Sequence, residues 1–270
     1  MLQLKSVVPQ APATGATSEP AHITIRGLNK EFNGSVVYEG FDLDIPRGRF
    51  VTVFGPNGCG KSTLINLVSG LIPTDGGEIL FGGKQLAQTK IGYVFQNYRE
   101  ALFPWMSAFS NIEYPLALMK IPKKERVERV QRLVDHLGVR IDLSLYPYQM
   151  SGGQQQLVSI MRALVVEPEV LFLDEPFSAL DYEMSLFMRD QLQRIFHETK
   201  TTTVLVSHDL EEAVYLADYV LLLTRRPARI ADYRYVELPR HRGDDTLAHP
   251  DFIEHKRYCL DVFQREVRRQ

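Results

Sequence analysis

The apolar positions of the chain follow two different periods, which alternate along its length. Short β-type runs come first, at HITIRGL (22–28), FDLDI (41–45) and RFVTVF (49–54). The last leads directly into a glycine-rich loop and the helical stretch KSTLINLVSG, which predicts a strand, loop, helix unit. EILFGG and IGYVFQ are also strand-like, and from about residue 107 to 166 the spacing becomes helical. The clearest helical segment is IPKKERVERVQRLVDHLGV, with Pro122 placed for a helix start and Gly138 for its end. Strands return at VLFLD (170–174), TTVLVS (202–207) and DYVLLLT (218–224), with helices between them. Their nearly continuous apolar character predicts a mostly parallel sheet covered on both faces. The expected fold class is therefore α/β, its core interrupted by a helical insert. Residues 1–20, rich in Ala, Pro, Thr and Ser without periodicity, are expected to form a mobile tail.

Composition narrows the function classes. With 270 residues and 44% hydrophobic positions, the chain can bury a large core, so a disordered protein is excluded. Thirty-one basic against 33 acidic residues leave a formal charge of -2, so nucleic acid is not the expected partner. Cys59 and Cys259 provide no framework for disulfides or zinc, and a reducing cytosol suits them. Runs such as YVLLL (219–223) fall far short of the roughly 20 residues of a membrane helix. The N-terminus has no charged start followed by an apolar stretch, so the chain is expected neither to span a membrane nor to be secreted.

GPNGCGKST comprises Gly55, Pro56, Asn57, Gly58, Cys59, Gly60, Lys61, Ser62 and Thr63, and fits the phosphate-loop pattern G-x-x-x-x-G-K-[ST]. Small residues there let backbone N–H groups approach phosphate oxygens, while Lys61 reaches the terminal phosphates and Ser62 can ligate magnesium. The competing reading is a glycine-rich turn with an exposed lysine. VLFLDEP ends an apolar strand in Asp174 and Glu175, at the C-terminal edge where ligands of parallel sheets gather. Asp174 would hold magnesium through water and Glu175 would act as general base on an attacking water. Taken alone, such a pair is equally a solvated cap. His208, at the end of VLVSHD, could contact the γ-phosphate and hold that water, although a lone His is more often structural.

A second glycine motif, Ser151, Gly152, Gly153 and Gln154, opens a helix and exposes N–H groups at its positive end. One ATP does not need two phosphate cradles. The economical arrangement is a two-fold dimer in which this cradle completes the site of another copy, the alternative being a plain N-cap by Ser151.

The ordered set GPNGCGKST, VFQ, SGGQQ, VLFLDEP, SALD (178–181) and VSHD resembles the ATP-binding cassette (ABC) ATPases over about residues 22–235. The resemblance implies a P-loop NTPase core with an antiparallel β part, and a domain over 21–235 with a helical subdomain inserted at about 97–166. A short, helical C-terminal extension would occupy 236–270. It also implies ATP and Mg2+ as ligands and Phe32 stacked on adenine, although nearby Tyr38 could be mistaken for the adenine partner. Gln96 would sense magnesium and the membrane subunit, Asp181 would link the two sites, and Ser151, Gly152 and Gly153 would bind the opposite γ-phosphate. Met150 replaces the family's usual Leu, and Leu157 stands where a basic residue is common.

The stretches ALFPWMSAFSNIEYPL and LADYVLLLTRRPARI are similar to importer ATPases for nitrate, sulfonates, taurine or bicarbonate. The implied partners are a second ATPase subunit (identical or a paralogue), transmembrane permease subunits and an external solute-binding protein. The implied location is the cytoplasmic face of the inner membrane. Phe103, Trp105 and Phe109 could form the groove for a membrane-subunit helix, or simply pack the insert on the core. The Arg-rich FQREVRRQ reads as a solvated face. The rival classes are a soluble cassette ATPase acting on nucleic acid or ribosomes, an exporter ATPase, and a nucleotide-gated module without activity.

Overall fold

A computed structural model describes residues 19–178, 180–239 and 242–268. Most of the expected tail, residues 1–18, lies outside these.

Two sheets build the molecule. Strands β1 (Ala21–Phe32), β2 (Ser35–Pro46) and β4 (Gly76–Phe81) form an antiparallel sheet in the order β2-β1-β4. β1 and β2 meet across Asn33–Gly34, both at positive φ, the dipeptide that a tight hairpin favours. The larger sheet contains β3 (Phe50–Phe54), β5 (Ile91–Val94), β6 (Val170–Asp174), β7 (Thr202–Val206), β8 (Tyr219–Leu223) and β9 (Ile230–Tyr235), in the order β5-β6-β7-β3-β8-β9. All its pairs are parallel except β8 with β9.

Every residue of β3, β6, β7 and β8 is buried, and the strand period of two divides their side chains between two cores. Val51, Val53, Val170, Phe172, Val204, Val206 and Leu221 join the core shared with the antiparallel sheet and α1 (Lys61–Val68). Phe50, Phe54, Leu171, Leu173, Leu205, Val220 and Leu222 face the opposite core. That core is built with α6 (Tyr182–Thr199), α7 (Leu210–Leu216), α8 (Pro250–Arg268) and the helical insert. The insert comprises α2 (Tyr98–Ala101), α3 (Ala108–Leu118), α4 (Lys123–Leu137) and α5 (Gly152–Leu164). Pro122 caps α4 at its start, and Gly138 ends it in the left-handed region.

Two features lie beyond the sequence reading. Edge strand β9 was not expected, because IADYRY is half-buried and lacks the apolar run of its neighbours. The segment after 236 is anchored, not merely solvated: Phe252, Cys259 and Val262 of α8 are buried in the second core. Within FQREVRRQ, Gln264, Arg265 and Arg268 are exposed, while the Phe263 ring packs 5.1 Å from that of Phe54. Leu157 and Met150 are both buried, so the unusual Leu157 serves as a core residue of α5. No helix among the described residues is long and apolar enough to cross a membrane. Both cysteines are free and buried.

Candidate functional site

Because β3, β5, β6 and β7 run parallel, the loops after them open at one edge of the sheet. That edge gathers residues 55–63, Gln96, Asp174 with Glu175, and His208. A separate cavity of about 550 Å3, lined by His22, Arg47 and Lys200 among others, includes none of these groups.

The glycine loop leaves β3 at Phe54 and enters α1 at Lys61. Gly58 and Gly60 have φ of 74° and 125°, and a Cβ at Gly60 would lie 2.7 Å from Val37 Cγ1. The position therefore requires glycine by both conformation and contact. Gly60→Ala is expected to weaken ATP binding by more than about tenfold while the far-UV spectrum is kept, because only the loop must move. Isothermal titration of the variant tests this. Lys61 is buried and its Nζ donates to the carbonyls of Gly55 at 2.9 Å and Pro56 at 3.2 Å, holding the ammonium over its own loop.

Ser62 Oγ donates to Asp174 Oδ1 at 2.9 Å. Burial pushes the Asp174 carboxyl above the usual range, against the pull of the Ser62 hydrogen bond. Among the described residues no cluster of three or more His, Cys, Asp or Glu could form a metal cage. Magnesium rarely needs one: it is commonly bound by one or two protein oxygens plus substrate phosphates, and a hydroxyl beside a carboxylate suits it. A bound cation would also favour the charged carboxylate that burial disfavours.

Glu175 follows with φ 46°, a strained conformation for a side-chain-bearing residue, and its N–H donates to the Val206 carbonyl at 3.0 Å. Gln96 Nε2 donates to Glu175 Oε2 at 2.8 Å, and His208 Nδ1 lies 3.2 Å from the same oxygen. Three strand ends thus place an amide, a carboxylate and an imidazole on one point. Gln96 is directed at this carboxylate through its Nε2.

The two aromatics differ in burial. Tyr38 is 1% exposed, and its hydroxyl donates to the Gly60 carbonyl at 3.0 Å, bracing the glycine loop. Phe32, at the end of β1, is 42% exposed, with Lys30 Nζ 5.0 Å from its ring centroid. Tyr38→Phe is expected to cost about 1 kcal/mol of stability through the lost hydrogen bond, with adenine recognition intact. Phe32→Ala is expected to leave stability within about 0.5 kcal/mol, as for an exposed position, and to weaken ATP binding several-fold. Thermal melts paired with ATP titrations separate the two residues.

The second glycine motif stands apart from the first. Ser151 Oγ accepts from the Gln154 N–H at 3.3 Å, and Gln154 Oε1 accepts from the Ser151 N–H at 2.9 Å, a reciprocal capping box. These bonds leave the N–H groups of Gly152 and Gly153 as donors of the first turn with no hydrogen bond among the described residues. The start of α5 packs beside α6: a Cβ at Gly153 would meet Met184 and Leu180. Asp181 caps α6, its Oδ1 accepting from the Met184 N–H at 2.8 Å. Of the aromatic trio, Trp105 is 70% exposed, while Phe103 packs on Tyr114 and Phe109 on the core.

Sequence reasoning missed Tyr93, whose hydroxyl donates to Asn66 Oδ1 at 2.6 Å near Asp174. It also missed the approach of Arg225, Arg226, Phe263 and Val267 to the glycine loop. The Arg-Arg pair ending an apolar strand was the available signal.

Known proteins resemble the chain in sequence and in fold. The sequence profile of the ABC transporter family matches residues 38–178. An uncharacterised ABC transporter ATP-binding protein of Methanocaldococcus jannaschii is 37% identical, covering 91% of this chain and 92% of its own. The taurine import ATP-binding protein of Escherichia coli O157:H7 is 36% identical, covering 91% of this chain and 99% of its own. Among solved structures, a dimeric ATP-binding cassette in a post-hydrolysis state with ADP and Pi superposes with a TM-score of 0.68. It is 26% identical and covers 80% of this chain and 100% of its own.

Proposed function

Because the chain belongs to the ABC transporter family, we propose that it is the ATP-hydrolysing subunit of an importer that drives uptake of a small solute through separate membrane subunits. The observation that carries the chemistry is the convergence of Gln96 and His208 on the Glu175 carboxylate, beside the Ser62–Asp174 pair and the phosphate loop. Residues 21–235 act as the ATPase domain, with the helical subdomain at about 97–166.

In this reading Phe32 stacks on adenine, and the loop from Gly55 to Thr63 cradles the phosphates by its N–H groups. Lys61 turns from its own carbonyls to the terminal phosphates. Ser62 and Asp174 would hold Mg2+, with Gln96 as an additional oxygen ligand. When bound, the ion neutralises charge on the phosphates. Glu175 takes a proton from the attacking water, and His208, oriented by the same carboxylate, holds that water against the γ-phosphate. Gly152 and Gly153 of a second copy, identical or paralogous, offer their free N–H groups to that phosphate, and Asp181 communicates between the two sites. ATP favours the closed dimer through its higher affinity for that state.

The chain is peripheral to the membrane through its permease partners. The likeness to the taurine import ATP-binding protein over nearly its whole length supports the direction of transport, and an external solute-binding protein is a further partner of this reading. The solute is a small one, possible classes being anions such as nitrate, a sulfonate or bicarbonate, and taurine. Affinity purification from detergent-solubilised native membranes, with mass spectrometry of the accompanying chains, tests this reading. A permease subunit with a solute-binding protein is the expected result. Reproducible recovery of ribosomal or DNA-associated chains alone would overturn the transport role and leave the ATPase chemistry intact.

A further inference from the structure

Beside residues 55–59 of the phosphate loop lies a cavity of about 770 Å3. The backbone of residues 55–59 forms one wall, His208 and α8 residues Phe263 and Val267 another, and the turn between β8 and β9, with Arg225 and Arg226, a third. Both arginines are exposed, and neither has an ion-pair partner among the described residues. The next arginine, Arg229, is paired with Glu39 at 3.7 Å. Two guanidinium groups without an ion-pair partner beside the phosphate loop add positive potential where a polyanion would sit.

The turn is held firmly. Thr224 N–H donates to the Arg229 carbonyl, Arg229 N–H to Thr224 Oγ1, and Thr224 Oγ1 to the Arg225 carbonyl, each at 2.9 Å. Ala228 N–H donates to the Val37 carbonyl at 2.8 Å. Val37 and Tyr38 are the residues that abut Gly60, so β2 braces the turn and the phosphate loop together. Burial raises the Cys59 thiol and the Tyr38 hydroxyl, and the Arg226 charge acts on both in the opposite sense, which places that charge within electrostatic reach of the loop.

We propose that Arg226, with Arg225 beside it, is a nucleotide-positioning residue whose guanidinium closes the β8 flank of the phosphate loop and pairs with the phosphates of bound ATP. The inference rests on the reading that residues 55–63 bind ATP. Guanidinium suits the task because it stays charged and offers paired donors that match phosphate oxygens. Sequence motifs do not reveal it, since the turn lies more than 160 residues beyond the loop (225 minus 63).

The test is competition of ATP, ADP and AMP against a fluorescent ATP analogue with Mg2+, on the full chain carrying Arg226→Ala, Arg226→Lys or no change. ATP affinity is expected to fall about tenfold in Arg226→Ala, the worth of one charge-assisted hydrogen bond, with a smaller loss for AMP. Lys is expected to restore part of the affinity, and KM for ATP is expected to rise much more than kcat falls. Binding equal to wild type overturns the inference. So does an equal loss for ATP and AMP with a lowered melting temperature, which would mean loop support alone. Intact nucleotide affinity with lost ATP-driven association also overturns it, assigning the arginine to the second copy. If the unaltered chain fails to bind ATP, the ATPase reading itself falls.

Discussion

Replacing Glu175 by Gln is expected to lower ATP hydrolysis by about 10²- to 10⁴-fold, the usual contribution of a general base, while MgATP binding and ATP-driven association persist. The substitution keeps the size and the acceptor that Gln96 Nε2 uses at 2.8 Å, so the amide can stay in place. What disappears is the carboxylate able to take a proton from water. Asp174, hydrogen-bonded to Ser62 and buried, is occupied elsewhere and cannot substitute. Single-turnover hydrolysis together with size-exclusion chromatography in ATP measures both halves. Normal turnover would remove Glu175 from the role of base; loss of ATP binding would make it a structural residue.

The second large effect is expected from Ser151→Arg. Its closest cost is the N-cap hydrogen bond to Gln154, about 1 kcal/mol, which the chain should tolerate. Its larger effect concerns the dimer. An arginine would place a long side chain at the start of α5, where the N–H groups of Gly152 and Gly153 are proposed to meet a phosphate of the other copy. The longer side chain would hold the two copies apart at a contact built for serine and glycine, so ATP-driven association should weaken by more than about 100-fold. Binding of ATP by the variant's own loop should be unchanged, because every hydrogen bond of Ser151 and Gln154 is local to the cap. Analytical ultracentrifugation in the Glu175→Gln background reads the outcome. Unchanged association would reduce the motif to a helix cap.

The two experiments address different layers of the same site. Glu175 acts within one copy, at a point where three strands of a single sheet end. Ser151 is proposed to act between copies, and it shares no hydrogen bond with the glycine loop among the described residues. Arg226→Ala reports on the flank of the loop, and Phe32→Ala on the proposed adenine contact.

Much of the architecture was legible because its signals are local and contiguous. The buried strands announce themselves as apolar runs, the phosphate loop as nine consecutive residues, and α4 by Pro122 and Gly138 at its ends. The strand-end placement of Asp174, Glu175 and His208 follows from the same runs. Edge strand β9 gave no such signal, since one pairing partner and half-burial demand little of its side chains. Helix α8 was expected only as a helix, because its anchors Phe252, Cys259 and Val262 acquire meaning only against a core built from distant residues.

The amino-acid sequence by itself therefore determined the kind of chemistry and the order of the elements, because backbone conformation, glycine placement and strand periodicity depend on near neighbours. Tertiary structure decided the relations. It placed Gln96 and His208 on one oxygen of Glu175, which required three strands to be parallel and in register. It separated Phe32 from Tyr38, two aromatics six residues apart, by leaving one ring open and turning the other hydroxyl onto Gly60. It also brought the turn at Arg226 beside a loop far away in the chain. Such choices are settled by which surfaces bury one another, and burial is a property of the packed whole.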